Sequence, residues 1–154
     1  RYFELISNLT QAAHEPAVVA SRVSLADIAA GAFMKLCRAM RNLGGAPTDS
    51  DLHRLRIKTK RARYAAELAE TCAGNSAKRF ILQAKLFQDL LGIHQDAVLA
   101  ERHIREFLEQ STSVRAAFVA GRMVERQRHR RESARIKFRA QWKKLEKRGK
   151  KAWG

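Results

Sequence analysis

What most constrains this chain is how little it contains that could stop a helix. Of its 154 residues, two are proline (Pro16 and Pro47) and eight are glycine. Proline removes a helical hydrogen bond and clashes with the preceding turn, and glycine costs about 1 kcal/mol relative to alanine in a helix interior. Nowhere do apolar and polar residues alternate with the period of two that a half-buried strand requires. The expected fold is therefore all-α. The few breakers divide the chain into about six helices, over residues 2–13, 24–43, 50–73, 76–91, 94–109 and 113–148. Ser24 is the expected N-cap of the second helix, and Gly44 and Gly45 its stop. Asp49 or Ser50 caps the third, Gly74 ends it, and Gly92 ends the fourth. Connections this short predict antiparallel neighbours, hence an antiparallel helical bundle, with part of the long last helix projecting past the others or fraying. The length fits one domain, 1–154, with a substantial core.

Charge narrows the class of partner. Lys and Arg number 31 against 15 Asp and Glu, a net charge of +16. Such an excess repels itself in a compact state and calls for an anionic partner: nucleic acid, an acidic membrane surface or a polymeric phosphate. From Arg122 to Lys151 the local balance is +11, which makes this segment either a solvated outer face or one wall of an anion groove. Cys37 and Cys72 form no Cys-x-x-Cys pair, so they read as two buried, reduced thiols rather than a zinc or redox motif. No apolar run is long enough to span a bilayer and no signal peptide is visible. The first residue is Arg1, not Met, so the chain is expected to begin inside a longer protein.

The most informative segment is LHRLRIKTKRARYAAEL, residues 52–68. At about 100° per residue, Leu52, Leu55, Ala62, Ala66 and Ala69 gather on one face, the expected core face. His53, Arg56, Lys60 and Arg63 fall on an adjacent face at spacings of +3, +4 and +3, with Tyr64 beside them and Glu67 extending the row. Like charges at this spacing cost helix stability, and a phosphate chain placing one anionic unit against each successive cation would offset that cost. Arg presents a planar fork to phosphate oxygens, Lys a mobile point charge, and Tyr64 a phenolic hydrogen bond. Wet helix surface is the plain alternative. Lys58 and Arg61 point elsewhere and read as ordinary surface.

These residues carry a resemblance. LHRLRIKTKRARYAAELAE at 52–70 resembles the His-x-x-Arg-x-x-x-Lys-Arg-x-Arg-Tyr helix of the conserved histidine α-helical domain (CHAD) family, and LQAKLFQDLLGIHQDAVLAER at 82–102 resembles that family's Leu-Gln-Asp-x-Leu-Gly-x-x-x-Asp segment. The resemblance implies a helical bundle built from two related halves. It also implies binding of inorganic polyphosphate in a basic central cavity without catalysis, in a cytoplasmic protein associated with polyphosphate granules. On this chain the motif positions are His53, Arg56, Lys60 and Arg63, then Lys85, Gln88 and Asp96. Lys85 would add a cation, and Asp96 would orient a cation or cap the fifth helix. Arg122 and Arg126, one turn apart on the last helix, are assigned to the same cavity from their spacing. A member with both halves carries the His-Arg motif twice, and this chain carries it once. The resemblance therefore implies that residues 1–154 are the second half, and that pairing with the first half or with another copy covers what a lone half exposes.

Non-specific nucleic-acid binding through the last helix is the alternative function. Against it, Phe33, Phe80, Phe87, Phe107 and Phe118 lie in apolar helical patterns and read as core rather than as stacking platforms. An enzyme is disfavoured because Asp89, Asp96, Glu101 and Glu106 form no paired-acid motif, no P-loop is present, and His94 and Asp96 point to different helix faces. No catalytic residue, metal ligand or cofactor is expected. Ala134, Phe138, Trp142 and Leu145 form a seam expected to pack on the bundle rather than on a membrane, with Trp153 as a terminal anchor.

Overall fold

A computed structural model describes residues 23–154. Among them are four helices and no strand: α1 (Leu25–Arg41), α2 (Asp49–Leu68), α3 (Glu70–Glu109) and α4 (Val114–Trp153). The all-α bundle is as expected, but the count of about six helices is not. The expected helix at 2–13 lies outside the described residues, and those expected at 76–91 and 94–109 are one.

Local chemistry explains the helix starts. Ser24 opens α1 through a capping box with Asp27, as its sequence position suggested. For α2 the cap is Thr48, one residue before the expected pair. The Thr48 hydroxyl accepts from the Asp51 N–H at 3.1 Å, and the Asp51 carboxylate accepts from the Thr48 N–H at 2.8 Å. A Thr-x-x-Asp pair satisfies two orphan groups at once, which Asp49 or Ser50 alone cannot do. Asp49 is thereby left free for contacts outside its own helix.

The helix ends departed further from expectation. α1 stops at Arg41 with Asn42 as C-cap, before Gly44 and Gly45. The Gly44 carbonyl instead accepts from the Arg139 guanidinium of α4 at 2.6 Å, and the Pro47 carbonyl accepts from Arg135 at 2.7 Å. The last helix therefore fastens the α1–α2 loop. α2 ends at Leu68, not 73, with the fully buried Ala69 as its C-cap. Gly74 serves as a kink inside α3, with a φ of +61° that side chains rarely tolerate. Gly92 does not stop a helix at all: α3 runs straight through it to Glu109, and α4 continues to Trp153 rather than 148.

The core lies where all four helices meet. Phe33 and Leu36 of α1, Leu52, Leu55, Ala62 and Ala66 of α2, Phe80, Phe87 and Leu91 of α3, and Phe138, Trp142 and Leu145 of α4 are buried together. Phe80 takes Phe33 and Trp153 edge-on at 5.5 and 6.0 Å, and Phe87 meets Trp142 at 5.9 Å. The α4 seam packs on the bundle, and Trp153 anchors its end. Thr59, buried among them, donates its hydroxyl to the Leu55 carbonyl at 2.9 Å.

α3 and α4 are each twice as long as α2, at 40 residues against 20, so their hairpin extends past the first turn of α2. This corrects two readings. Phe107 and Phe118 sit on the extension and are 64% and 68% exposed, not core. Cys72, beside the kink, is exposed, while Cys37 is buried. No helix among the described residues is long and apolar enough to cross a membrane.

Candidate functional site

The row expected on α2 runs along the edge of its core face. Leu52, Leu55, Thr59, Ala62 and Ala66 are buried beneath it. His53, Arg56 and Arg63 are half-buried, and Lys60 and Tyr64 are exposed. Packing against α3 sets this order: side chains nearest the seam lose solvent and those one step outward keep it. Gly92 of α3 faces Arg56 of α2. A Cβ placed there would lie 3.6 Å from Arg56 Nε, so the guanidinium of Arg56 rests on the bare backbone of α3. At that distance a Cβ would make ordinary contact, so the approach of Arg56 does not itself demand a glycine here.

Lys85, Gln88, Gly92 and Asp96 follow one another at +3, +4 and +4, so they share the α3 face that Arg56 touches. Lys85 is exposed, Gln88 is half-buried, and Asp96 is exposed with no ion pair. Because α3 is continuous, Asp96 caps nothing. The structure thus brings His53, Arg56, Lys60, Arg63 and Tyr64 of α2 and Lys85 and Gln88 of α3 to one seam.

The polar atoms of the seam are under-satisfied. His53 Nδ1, Arg56 Nε, Arg63 Nε and Gln88 Oε1 are all buried without a hydrogen-bond partner from the protein. Buried polar atoms are nearly always paired, and leaving one unpaired costs about 1–3 kcal/mol. Four such atoms lie along this one seam, and the others among the described residues belong to His94, Glu101 and Trp153. Charge is similarly uncompensated. Arg63 has Glu67 at 3.0 Å, while Arg56, Lys60 and Lys85 have no carboxylate partner. Tyr64 holds the outer end, its ring 4.7 Å from the Arg63 guanidinium and 5.4 Å from Lys60 Nζ.

Arg122 and Arg126 do not join them. Both are exposed on the α3–α4 extension, beside Glu125, His129 and Arg130 of the same helix. Arg135 marks the level of the first turn of α2, through its bond to Asp49. Nine residues separate Arg126 from it, about 13 Å along a helix, in the direction away from the stripe. One-turn spacing on α4 could not reveal this, because the offset between α4 and α2 is a tertiary property.

A second polar centre lies at the start of α2 and was not anticipated. His94 is 1% exposed, with Nε2 3.2 Å from Asp49 Oδ1, close but poorly aligned for a hydrogen bond. Asp49 also accepts from Arg135 and lies 3.6 Å from Arg131. Arg131 is 3.6 Å from Glu101, which pairs with Arg105 at 2.8 Å and Arg128 at 3.3 Å. Burial alone would raise the pKa of Asp49, but the Arg135 hydrogen bond and the charges of Arg135, His94 and Arg131 outweigh it and hold the pKa low. Burial pushes the pKa of His94 down, against the pull of Asp49 and with the push of Arg135 and Arg131. The hydrogen bond from Arg105 leads in lowering that of Glu101. This network ties α2, α3 and α4 and sets the register of the seam. On the basic last helix, Arg128, Arg131, Arg135 and Arg139 reach carboxylates and loop carbonyls, while the other cations from Arg122 to Lys151 are exposed. No group of three or more His, Cys, Asp or Glu that could hold a metal occurs among the described residues.

The chain is 30% identical to an uncharacterized protein of Mycobacterium tuberculosis strain CDC 1551 / Oshkosh over 161 residues, covering 99% of this chain and 30% of the relative. A relative from strain ATCC 25618 / H37Rv gives the same identity and coverage. The chain thus spans about 30% of the length of these curated relatives. No solved structure matches. The family model of the CHAD domain matches residues 1–105, more than half the chain and the whole of the α2–α3 seam, and the protein belongs to the CHAD domain family.

Proposed function

We propose that this chain binds inorganic polyphosphate, without catalysis, along the seam between α2 and α3. The observation that carries the reading is the row of four buried, unpartnered polar atoms, His53 Nδ1, Arg56 Nε, Arg63 Nε and Gln88 Oε1, beside cations that lack carboxylates. A linear polyanion supplies oxygens for the buried Arg56 and Arg63 donors, and charge for Arg56 and Lys60 at successive turns of α2 and for Lys85 across the seam. Family membership supports this ligand. Glu67 is engaged by Arg63 and Asp49 by Arg135, and the unpaired Asp96 has no second free carboxylate placed beside it to form the acid pair that metal-assisted hydrolysis uses. A cytoplasmic location at polyphosphate granules follows from this ligand.

One observation favours a second reading. Exposed Phe107 and Phe118 on the hairpin extension share its surface with Arg115, Arg122 and Arg126, and aromatic rings among cations suit single-stranded nucleic acid. The same apolar surface suits pairing with a first half-domain or a second copy. Calorimetric titration with long-chain polyphosphate, competed by duplex and single-stranded DNA at equal phosphate concentration, separates the two functions. Polyphosphate binding that resists DNA and is weakened in Arg56→Ala and Lys60→Ala supports the seam. Displacement by DNA, with those variants unaffected, moves the function to the extension.

A further inference from the structure

The seam does not account for all the uncompensated charge on α2. Lys58 and Arg61, which read as plain surface in the sequence, line a groove of about 370 Å³ between α1 and α2 together with Lys35. Its floor is Ile28, Gly31 and Ala32 of α1. Three cations from two helices meet there and none has an ion-pair partner. The one acid in the groove, Asp27, is held by the cap of α1, accepting from the Ser24 N–H at 3.0 Å and the Ser24 hydroxyl at 2.7 Å. Lys58 and Arg61 are one turn apart, so their repulsion destabilises α2 in the same way as the stripe does.

The groove and the seam are joined around the outside of α2. Going round the helix from Lys60, Tyr64 lies about 40° on, Arg61 about 100° and Lys58 about 160°. Lys60, Arg61 and Tyr64 are exposed, and no other part of the described chain covers that face. The cations thus flank one open face of α2, Lys60 at its seam edge and Arg61 and Lys58 toward Lys35 of α1, with Ile57, Tyr64 and Leu68 exposed between them.

We propose that the anion path crosses the outer face of α2, so that a long polyphosphate chain held in the seam continues into the α1–α2 groove and is neutralised there by Arg61, Lys58 and Lys35. The extension rests on the seam reading but makes a different demand on the ligand. A short phosphate oligomer fills the seam alone, and only a long one reaches the groove. The residues outside the seam therefore select for chain length.

The test compares tripolyphosphate with long-chain polyphosphate by calorimetry, at fixed ionic strength, for the parent chain and for the triple variant Lys35→Gln/Lys58→Gln/Arg61→Gln. These side chains make no ion pair, so the fold should survive, and circular dichroism and thermal denaturation check it. A control triple variant, Lys143→Gln/Lys144→Gln/Lys147→Gln on α4, removes the same charge elsewhere. The expected result is tripolyphosphate affinity within about twofold of the parent, roughly tenfold weaker long-chain binding, and a shallower salt dependence for the long chain alone. The control should change both ligands little. Equal losses for both ligands in the groove variant, or long-chain losses matched by the control, would overturn the extension in favour of diffuse attraction. Unchanged long-chain binding in the groove variant overturns it while leaving the seam intact. If the parent binds neither ligand, the seam reading fails and the extension with it.

Discussion

Arg56 stands where function and stability oppose each other, and replacing it with Met separates the two. Met keeps an unbranched stem over the Gly92 backbone, to which Arg56 Nε lies at 3.6 Å from the position of a Cβ. It removes the Nε–H, which has no protein partner, and the charge one turn from Lys60. An unsatisfied buried donor costs about 1–3 kcal/mol, and Arg56 is half-buried, so the lower figure applies. Relief of the like-charge neighbour adds about 0.2–0.5 kcal/mol. Without ligand the variant should therefore be more stable by about 1 kcal/mol, a rise in Tm of roughly 2–4 °C for a chain of this size. Binding should move the other way. Loss of charge-assisted hydrogen bonds costs about 1.5–3 kcal/mol, a ten- to hundredfold increase in Kd. Thermal denaturation of the ligand-free protein and calorimetric titration with long-chain polyphosphate measure the two halves. A ligand-free Tm several degrees below the parent would refute the reasoning, since Arg56 would then be a structural pin whose loss misplaces the seam.

Two glycines should respond to alanine with opposite signs. At Gly92 the new Cβ makes ordinary contact with Arg56, so the gain in helix propensity stabilises the chain by about 0.5–1 kcal/mol. At Gly149 it overlaps the buried Phe33 ring, and an overpacking cost of about 1–3 kcal/mol exceeds that gain; denaturation midpoints of the same sign would contradict the packing. Stability should also fall with acid in two stages. His94 has a folded pKa below its ordinary 6.5, so the unfolded chain takes up the proton first; stability is full above about pH 6.5 and is lost as pH falls toward the folded value. Asp49 is depressed below its ordinary 3.8, so its contribution is present above that value and lost as pH falls through the lower, folded one. His94→Gln should flatten the slope of Tm between about pH 5 and 7, and an unchanged slope there would show that His94 is not its source.

What the sequence determined by itself was whatever depends on residues a few positions apart. The all-α class follows from the scarcity of breakers, the start of α1 from Ser24 and Asp27, and the α2 stripe from 3.6-residue periodicity, because caps and helix faces are set within one or two turns. What only the tertiary structure decided depends on contacts between distant segments. Gly92 reads locally as a stop, yet in the bundle α3 runs straight through it where it faces Arg56 of α2. Arg122 and Arg126 read as seam residues, yet the offset of α4 against α2 carries them past it. Phe107 and Phe118 have the pattern of core residues, but α1 and α2 do not reach them. The Asp49–His94–Arg135 centre joins positions 45 and 86 residues apart, and no local signal exists for a pairing that forms only when three helices dock. Helix periodicity fixes which side a residue faces; the docking of helices fixes what it faces.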